Sequence, residues 1–325
     1  SSRPLAALLA LFLGVATIIL LTIMIQIEKR GHYMSVSKVK TTIVKQKIRN
    51  PILNVLAHVY AYLLFLIYVI PVALVVLFSF TDSATIASKH LTLSSFTLEN
   101  YISIFQKASS YKPFVVSIAY SAIAASFVAI IVLIACRILQ KRKDRLGGAL
   151  EYGLLIPWLL PTTLMALGLI TTYNTPRVWM FNKVLTGTSV IMLIGYIIIK
   201  IPFTLRMTKA AFFSLDDSLE DAARNMGAKP FYTFMRVQLP IILPTVLAIF
   251  ALNFNGLLGD YDMSVFMCHP LNKPLGVYIK SLTDSETNAD NAALTFVYAV
   301  LMMIISAAVM YLVYGRGNKV DKNKD

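Results

Sequence analysis

The 325 residues are 57% hydrophobic and 14% charged, with a mean hydropathy of +0.70. A soluble globular chain carries about a quarter charged residues, so this one has too few to cover a water-facing surface, and an ordinary soluble domain is excluded. The net charge of +14 lies in short stretches between apolar blocks, with no aromatic-interleaved basic face, which argues against a nucleic-acid partner.

A helix needs about 20 apolar residues to cross roughly 30 Å of hydrocarbon. Seven stretches reach or approach that length: 4–27, 52–80, 114–136, 150–173, 188–205, 240–259 and 292–314. The expected fold class is an all-α, polytopic membrane protein. The chain opens Ser1-Ser2-Arg3-Pro4, without the basic start and cleavage site of a signal peptide, and reads as the interior of a longer protein. Residues 1–27 are expected to be the last membrane helix of an upstream unit, 28–51 a basic cytoplasmic linker, 52–316 a six-helix module and 317–325 a cytoplasmic tail. A seven-helix subunit trimmed at its start is the alternative.

Orientation follows from charge. The linker, 137–148, 206–239 and the tail from 315 together hold 21 Lys and Arg, against 8 in the alternate connections. By the positive-inside rule the first set, C-terminus included, faces the cytoplasm. Cys136 and Cys268 then lie on opposite sides, and no disulfide is expected. Pro157 and Pro161 fall within 150–173, where each removes a backbone donor and kinks the helix. Such a helix must pack inside a bundle or face a watery cavity.

Few ionisable residues interrupt the spans: His58, Glu151 at an edge, and Lys200. A secondary transporter, the alternative from another class, would use intramembrane acids or histidines as ion sites. Lys200, before Pro202, reads as a snorkelling side chain. Asn253 and Asn255 should face the bundle interior, either lining a path or bonding another helix.

The connection 206–239 is the most structured of the loops. Ser218 followed by Asp221 three residues on reads as a capping box. Ala222 and Ala223 favour helix, Gly227 supplies a left-handed stop, and Pro230 suits the first turn of a second helix. Leu215, Leu219, Ala223 and Met226 share one face, while Phe231, Phe234 and Met235 give the second helix its apolar side. Two short helices with a tight corner are expected, with Pro240 starting the next crossing. The pattern alone fits a docking element or an amphipathic helix lying on headgroups.

Asp221-Ala222-Ala223, three residues, Gly227, nine residues, Val237, one residue and Leu239-Pro240 resembles the EAA loop of binding-protein-dependent ABC importer permeases. That pattern runs Glu-Ala-Ala, three residues, Gly, nine residues, Ile, one residue, Leu-Pro; Asp221 and Val237 are the departures, and every spacing is kept. The resemblance covers about 56–316. It implies the type I importer (MetI-like) fold, preceded here by one extra membrane helix, in a bacterial plasma membrane.

It implies also that Ser218, Glu220, Asp221, Ala222, Ala223, Gly227, Lys229 and Pro230 dock on a cytoplasmic ATPase, present in two copies. An external solute-binding protein and a second permease half complete the set of partners. The chain carries no Gly-x-x-x-x-Gly-Lys-Ser/Thr phosphate loop, so it is expected to be no enzyme and to hold no cofactor, ATP and magnesium belonging to the partner. A helix ending Glu28-Lys29-Arg30-Gly31-His32-Tyr33 before a permease module is similar to the junction of fused ferric-iron permeases, which implies a half fused upstream and ferric iron as solute. Polyamine, phosphonate or another small anion is the alternative, since Gly259-Asp260-Tyr261-Asp262 also resembles polyamine permeases. Pro161, Asn253, Asn255 and Asp260 are the candidate path residues, and no metal site is assigned.

Overall fold

The computed structural model describes residues 50–315, apart from 89, 143, 177, 179–181 and 284–289, together with positions 15, 16, 19, 23 and 48. The expected helix 4–27, nearly all of the linker 28–51 and the tail 317–325 lie outside the described residues. The described residues are 82% helical, and among them the only β pairing is the isolated bridge between Thr81 and Phe96.

In chain order the helices are α1 (Pro51–Ser79), α2 (Ser83–Ser88), α3 (Glu99–Gln106), α4 (Ala108–Lys141), α5 (Arg145–Leu155), α6 (Thr162–Tyr173), α7 (Ser189–Phe213), α8 (Asp217–Asn225), α9 (Pro230–Thr233), α10 (Leu239–Leu258), α11 (Ser264–Met267), α12 (Leu275–Thr283) and α13 (Asp290–Tyr314). Among the described residues, five helical stretches are long and apolar enough to cross a membrane: α1, α4, α7, α9 running into α10, and α13. The bent pair α5–α6 makes a sixth span if counted as one.

Local chemistry sets the ends. Asn50 caps α1, its Oδ1 accepting from the Ile52 amide at 3.0 Å, and Pro51 fills the first helical position, where no amide donor is needed. Asp144 caps α5 through the Gly147 amide at 2.8 Å. Spans 114–136 and 188–205 prove longer than their apolar stretches, because α4 runs to Lys141 and α7 to Phe213 beyond the hydrophobic segment.

The fourth span is broken rather than kinked. After α5 the chain tightens into a 3-10 turn over Ile156–Leu159, and α6 leaves at 108° to what precedes it. Pro157 and Pro161 each deny an amide to the turn before, and Leu160, preceding a proline, is extended (φ −107°, ψ 137°). Ion pairing of Glu151 with Lys209, and Arg206 standing 5.5 Å over the Trp158 ring, tie the break to α7.

The core lies between α4, α7 and α10. Near the α8 end Val128, Val132, Cys136, Leu205, Phe212 and Ile242 pack together, and towards the other end Ala124, Met192, Tyr196, Leu257 and Met263 do so. Ala124 and Ala125 are fully buried, small residues that let helices approach closely. Cys136 and Cys268 are both free. By contrast α1 stays exposed along nearly its whole length and meets α13 at Phe78–Phe296, ring centroids 5.4 Å apart.

Candidate functional site: the α8 corner and the α10 cleft

The connection 206–239 reduces to one helix and one corner. Asp216 is the N-cap of α8, accepting from the Ser218 amide at 3.1 Å; the capping-box assignment to Ser218 is corrected by two residues, because Asp216 has the extended backbone a cap needs and Ser218 is already helical. At the other end the Gly227 amide bonds the Arg224 carbonyl at 2.9 Å and the Ala228 amide the Ala223 carbonyl at 3.0 Å. This is the Schellman pattern, and it holds Gly227 at φ +82°, the left-handed conformation glycine adopts freely.

The second short helix does not end before the membrane. From Pro230 the chain continues through a π-helical segment, Phe234–Gln238, into α10. Pro240 has no amide to give residue 236, and the turn before it widens so that the Leu239 amide reaches the Phe234 carbonyl. The corner is therefore rigidly continuous with a membrane helix, where a separate helix had been expected.

The two sides of α8 differ. Ser218, Asp221, Ala222, Gly227, Lys229 and Pro230 are exposed, as a docking surface needs, and Met226 and Phe231 stand out at 81% and 75% exposure. Met226, Gly227, Ala228, Lys229, Tyr232 and Val237 line a hollow of about 440 Å³ at the corner. Met226 had been placed on the same face as Leu215 and Ala223; it instead lies outside, because the helix ends there and the Schellman turn swings it away. Ala223 is buried.

Glu220 stands apart from its exposed neighbours. Its side chain is only 14% exposed and faces the bundle, where Arg137 grips both carboxylate oxygens at 3.1 and 3.3 Å. Lys141 pairs with it as well, and Gln238 donates at 3.1 Å. Arg137 also donates to Gln238 and Gln140 and sits 5.8 Å over the Phe234 ring. Hydrogen bonds from Arg137 are the largest influence holding the Glu220 carboxyl down from its ordinary 4.5 to about 2, with Lys141 adding to them. Glu220 thus clasps α8 to the end of α4 and the start of α10. Sequence reasoning missed Arg137, Lys141 and Gln238; the available signal was a pair of cations one helical turn apart where an apolar span ends.

Of the candidate path residues, Pro161 stands at the helix break. Asn253 is buried and donates to Thr204 Oγ1 at 2.7 Å, a contact between α7 and α10. Asn253→Leu is therefore expected to cost about 0.6 kcal/mol, the size of such bonds in membrane proteins, and to leave transport unchanged; thermal unfolding in detergent and an uptake assay check both. A large transport loss at unchanged stability would make Asn253 a path residue.

Asn255 and Asp260 come together in a cleft between α10 and α13, shared with Gly256, Gly259, Met302 and Ser306. Lys200 Nζ lies against Gly256, where a Cβ would stand 2.8 Å away. The missing side chain at 256 leaves the room that turns Lys200 inward.

Residues 133–318 match the family described as binding-protein-dependent transport system inner membrane component. Over 313 residues the chain is 37% identical to a protein of Sinorhizobium fredii named as an ABC transporter permease, y4fN, covering 95% of this chain; it spans 54% of that relative's length. It is 24% identical over 212 residues to the PhnV protein of Salmonella typhimurium, named for 2-aminoethylphosphonate transport, covering 65% of this chain and 78% of that one. Similarity to the cysT protein of Prototheca wickerhamii, named for sulfate transport, is 31% over 157 residues, 46% of this chain and 60% of that one. Among solved structures, a bacterial ABC transporter involved in the import of the acidic polysaccharide alginate shares the fold, with a TM-score of 0.66 at 14% identity over 82% of this chain and 96% of that one.

Proposed function

The chain belongs to the family of binding-protein-dependent transport system inner membrane components, and from that premise we propose that it forms one side of the translocation path of an ATP-driven importer. A partner ATPase, in two copies that bind ATP and magnesium, seats against the exposed side of α8. The observation that carries this reading is the two-sided character of that helix. Its small outer face, Ser218, Asp221 and Ala222, is open beside the Gly227 corner, while on its inner face Ala223 is buried and Glu220 binds Arg137 of α4 and Gln238, at the start of α10. Force applied to α8 therefore reaches two membrane helices without passing through a loop. An external solute-binding protein delivers the solute, and the α8 corner and the C-terminus face the cytoplasm of a bacterium.

A second permease half, fused upstream, completes the path. The y4fN relative, of which this chain spans 54%, has length for such a half. For the solute, none of the relatives named above is named for ferric iron, and among the described residues no three His, Cys, Asp or Glu side chains group as metal ligands do. The small-anion alternative, a phosphonate or sulfate, is the better supported reading, since relatives named for both are similar to this chain.

Cross-linking tests the docking. In an otherwise cysteine-free chain, Ala222→Cys is expected to form an adduct with the ATPase subunit in membranes, and a cysteine at Glu220 is expected to form little or none. An Ala222 cysteine that labels from outside the cell, or that never reaches a nucleotide-hydrolysing partner, overturns the assignment.

A further inference from the structure

Two opposite charges stand near the end of α10 remote from α8. Lys200 crosses from α7 onto Gly256, and Asp260 follows α10 with its Oδ2 accepting from the Ser264 amide at 3.1 Å and the Ser264 hydroxyl at 2.8 Å. No ion pair joins them among the described residues. Beside them the cleft of about 380 Å³ is lined by Asn255, whose Oδ1 is buried without a hydrogen-bond partner.

Each feature is unfavourable by itself. A buried acceptor left unpaired costs about 1–3 kcal/mol, and ionisable groups within a membrane bundle are rare outside ion and substrate pathways. All three would be satisfied together by the right solute. A simple anion would be drawn to Lys200 and repelled by Asp260, and a simple cation the reverse. A hard multivalent cation needs several oxygen ligands, and one carboxylate is present. A molecule with an oxyanion at one end and an ammonium at the other meets both charges, and its N–H groups can donate to Asn255.

We infer that Lys200, Asn255 and Asp260 form a binding station for a small zwitterionic solute on its way through the permease. The inference rests on the transport reading above and narrows its solute class. The cleft lies within the range of about 300–1,000 Å³ usual for small-molecule sites.

The test is direct binding to the purified full-length protein, with whatever subunits accompany it, read as a thermal shift. Three probes are used: 2-aminoethylphosphonate, ethylphosphonate and 1,4-diaminobutane. Only the first is expected to stabilise the unmodified protein. Lys200→Met should move the preference to the diamine and Asp260→Asn to ethylphosphonate, each by about tenfold in half-saturating concentration. Opposite shifts in selectivity are a readout that a structural defect would not give, and either variant suffices if the other does not fold. Equal shifts with all three probes, no shift with any, or a variant that weakens every probe alike overturns the proposal. A failure of the ATPase-docking reading shows separately, as a purified complex without an ATPase.

Discussion

Gly227→Asp is expected to reduce transport by more than about tenfold while the protein still folds and inserts. A Cβ at 227 meets nothing within 4 Å in this chain, so the substitution creates no internal clash. Its internal effect is limited to the φ of +82°, a left-handed geometry that costs an L-residue roughly 1–2 kcal/mol. The rest of the effect falls on whatever occupies the hollow beside Met226 and Tyr232, into whose rim a carboxylate would be set. Gly227→Ala separates the two causes. Aspartate tolerates left-handed backbone better than most residues, so strain alone would make alanine the worse variant, whereas a blocked docking surface makes aspartate the worse one. Uptake and ATPase activity measured side by side decide it. Unchanged transport in Gly227→Asp would remove the docking surface from this corner.

What the sequence made legible was whatever a local rule determines. The long apolar helices between 51 and 314 follow from the length of hydrocarbon to be crossed, and Gly227 from the near-exclusive tolerance of glycine for positive φ. The break at Pro157 and Pro161 was visible as a kink; its sharpness was not, because two missing amides in consecutive turns act together and leave Leu160 extended. Side-chain direction was the least legible. Glu220 adjoins Asp221 in the motif, but one residue is a 100° rotation on a helix, enough to send one carboxylate to solvent and the other to Arg137, a partner 83 positions earlier in the chain. The place of the Lys200 amine was illegible for a related reason: the room it occupies is left by the absence of a side chain at Gly256, on another helix.

Glu220→Gln is expected to loosen α8 from the bundle and to lower stability by about 2 kcal/mol near neutral pH, the scale of a charge-assisted hydrogen bond lost where water cannot replace it. Arg137, only 16% exposed, keeps Gln140 and Gln238 as partners, which holds the loss below that of a fully orphaned buried cation. The sign of the pH dependence follows from the carboxyl's depression. With the folded value near 2 and the ordinary value 4.5, the clasp contributes fully above about pH 4.5 and is lost as pH falls towards 2, because the unfolded chain takes up the proton first. Thermal unfolding of the solubilised protein should show wild type losing stability across that window and Glu220→Gln, already without the charge, losing less. Transport should fall in the variant even where the ATPase still binds, since the outer face of α8 is untouched and only its attachment to α4 and α10 is weakened. A variant with wild-type unfolding and wild-type uptake would mean that α8 is held by packing at Ala223 and Leu215 alone, and that the ionic clasp contributes nothing to the transmission of force.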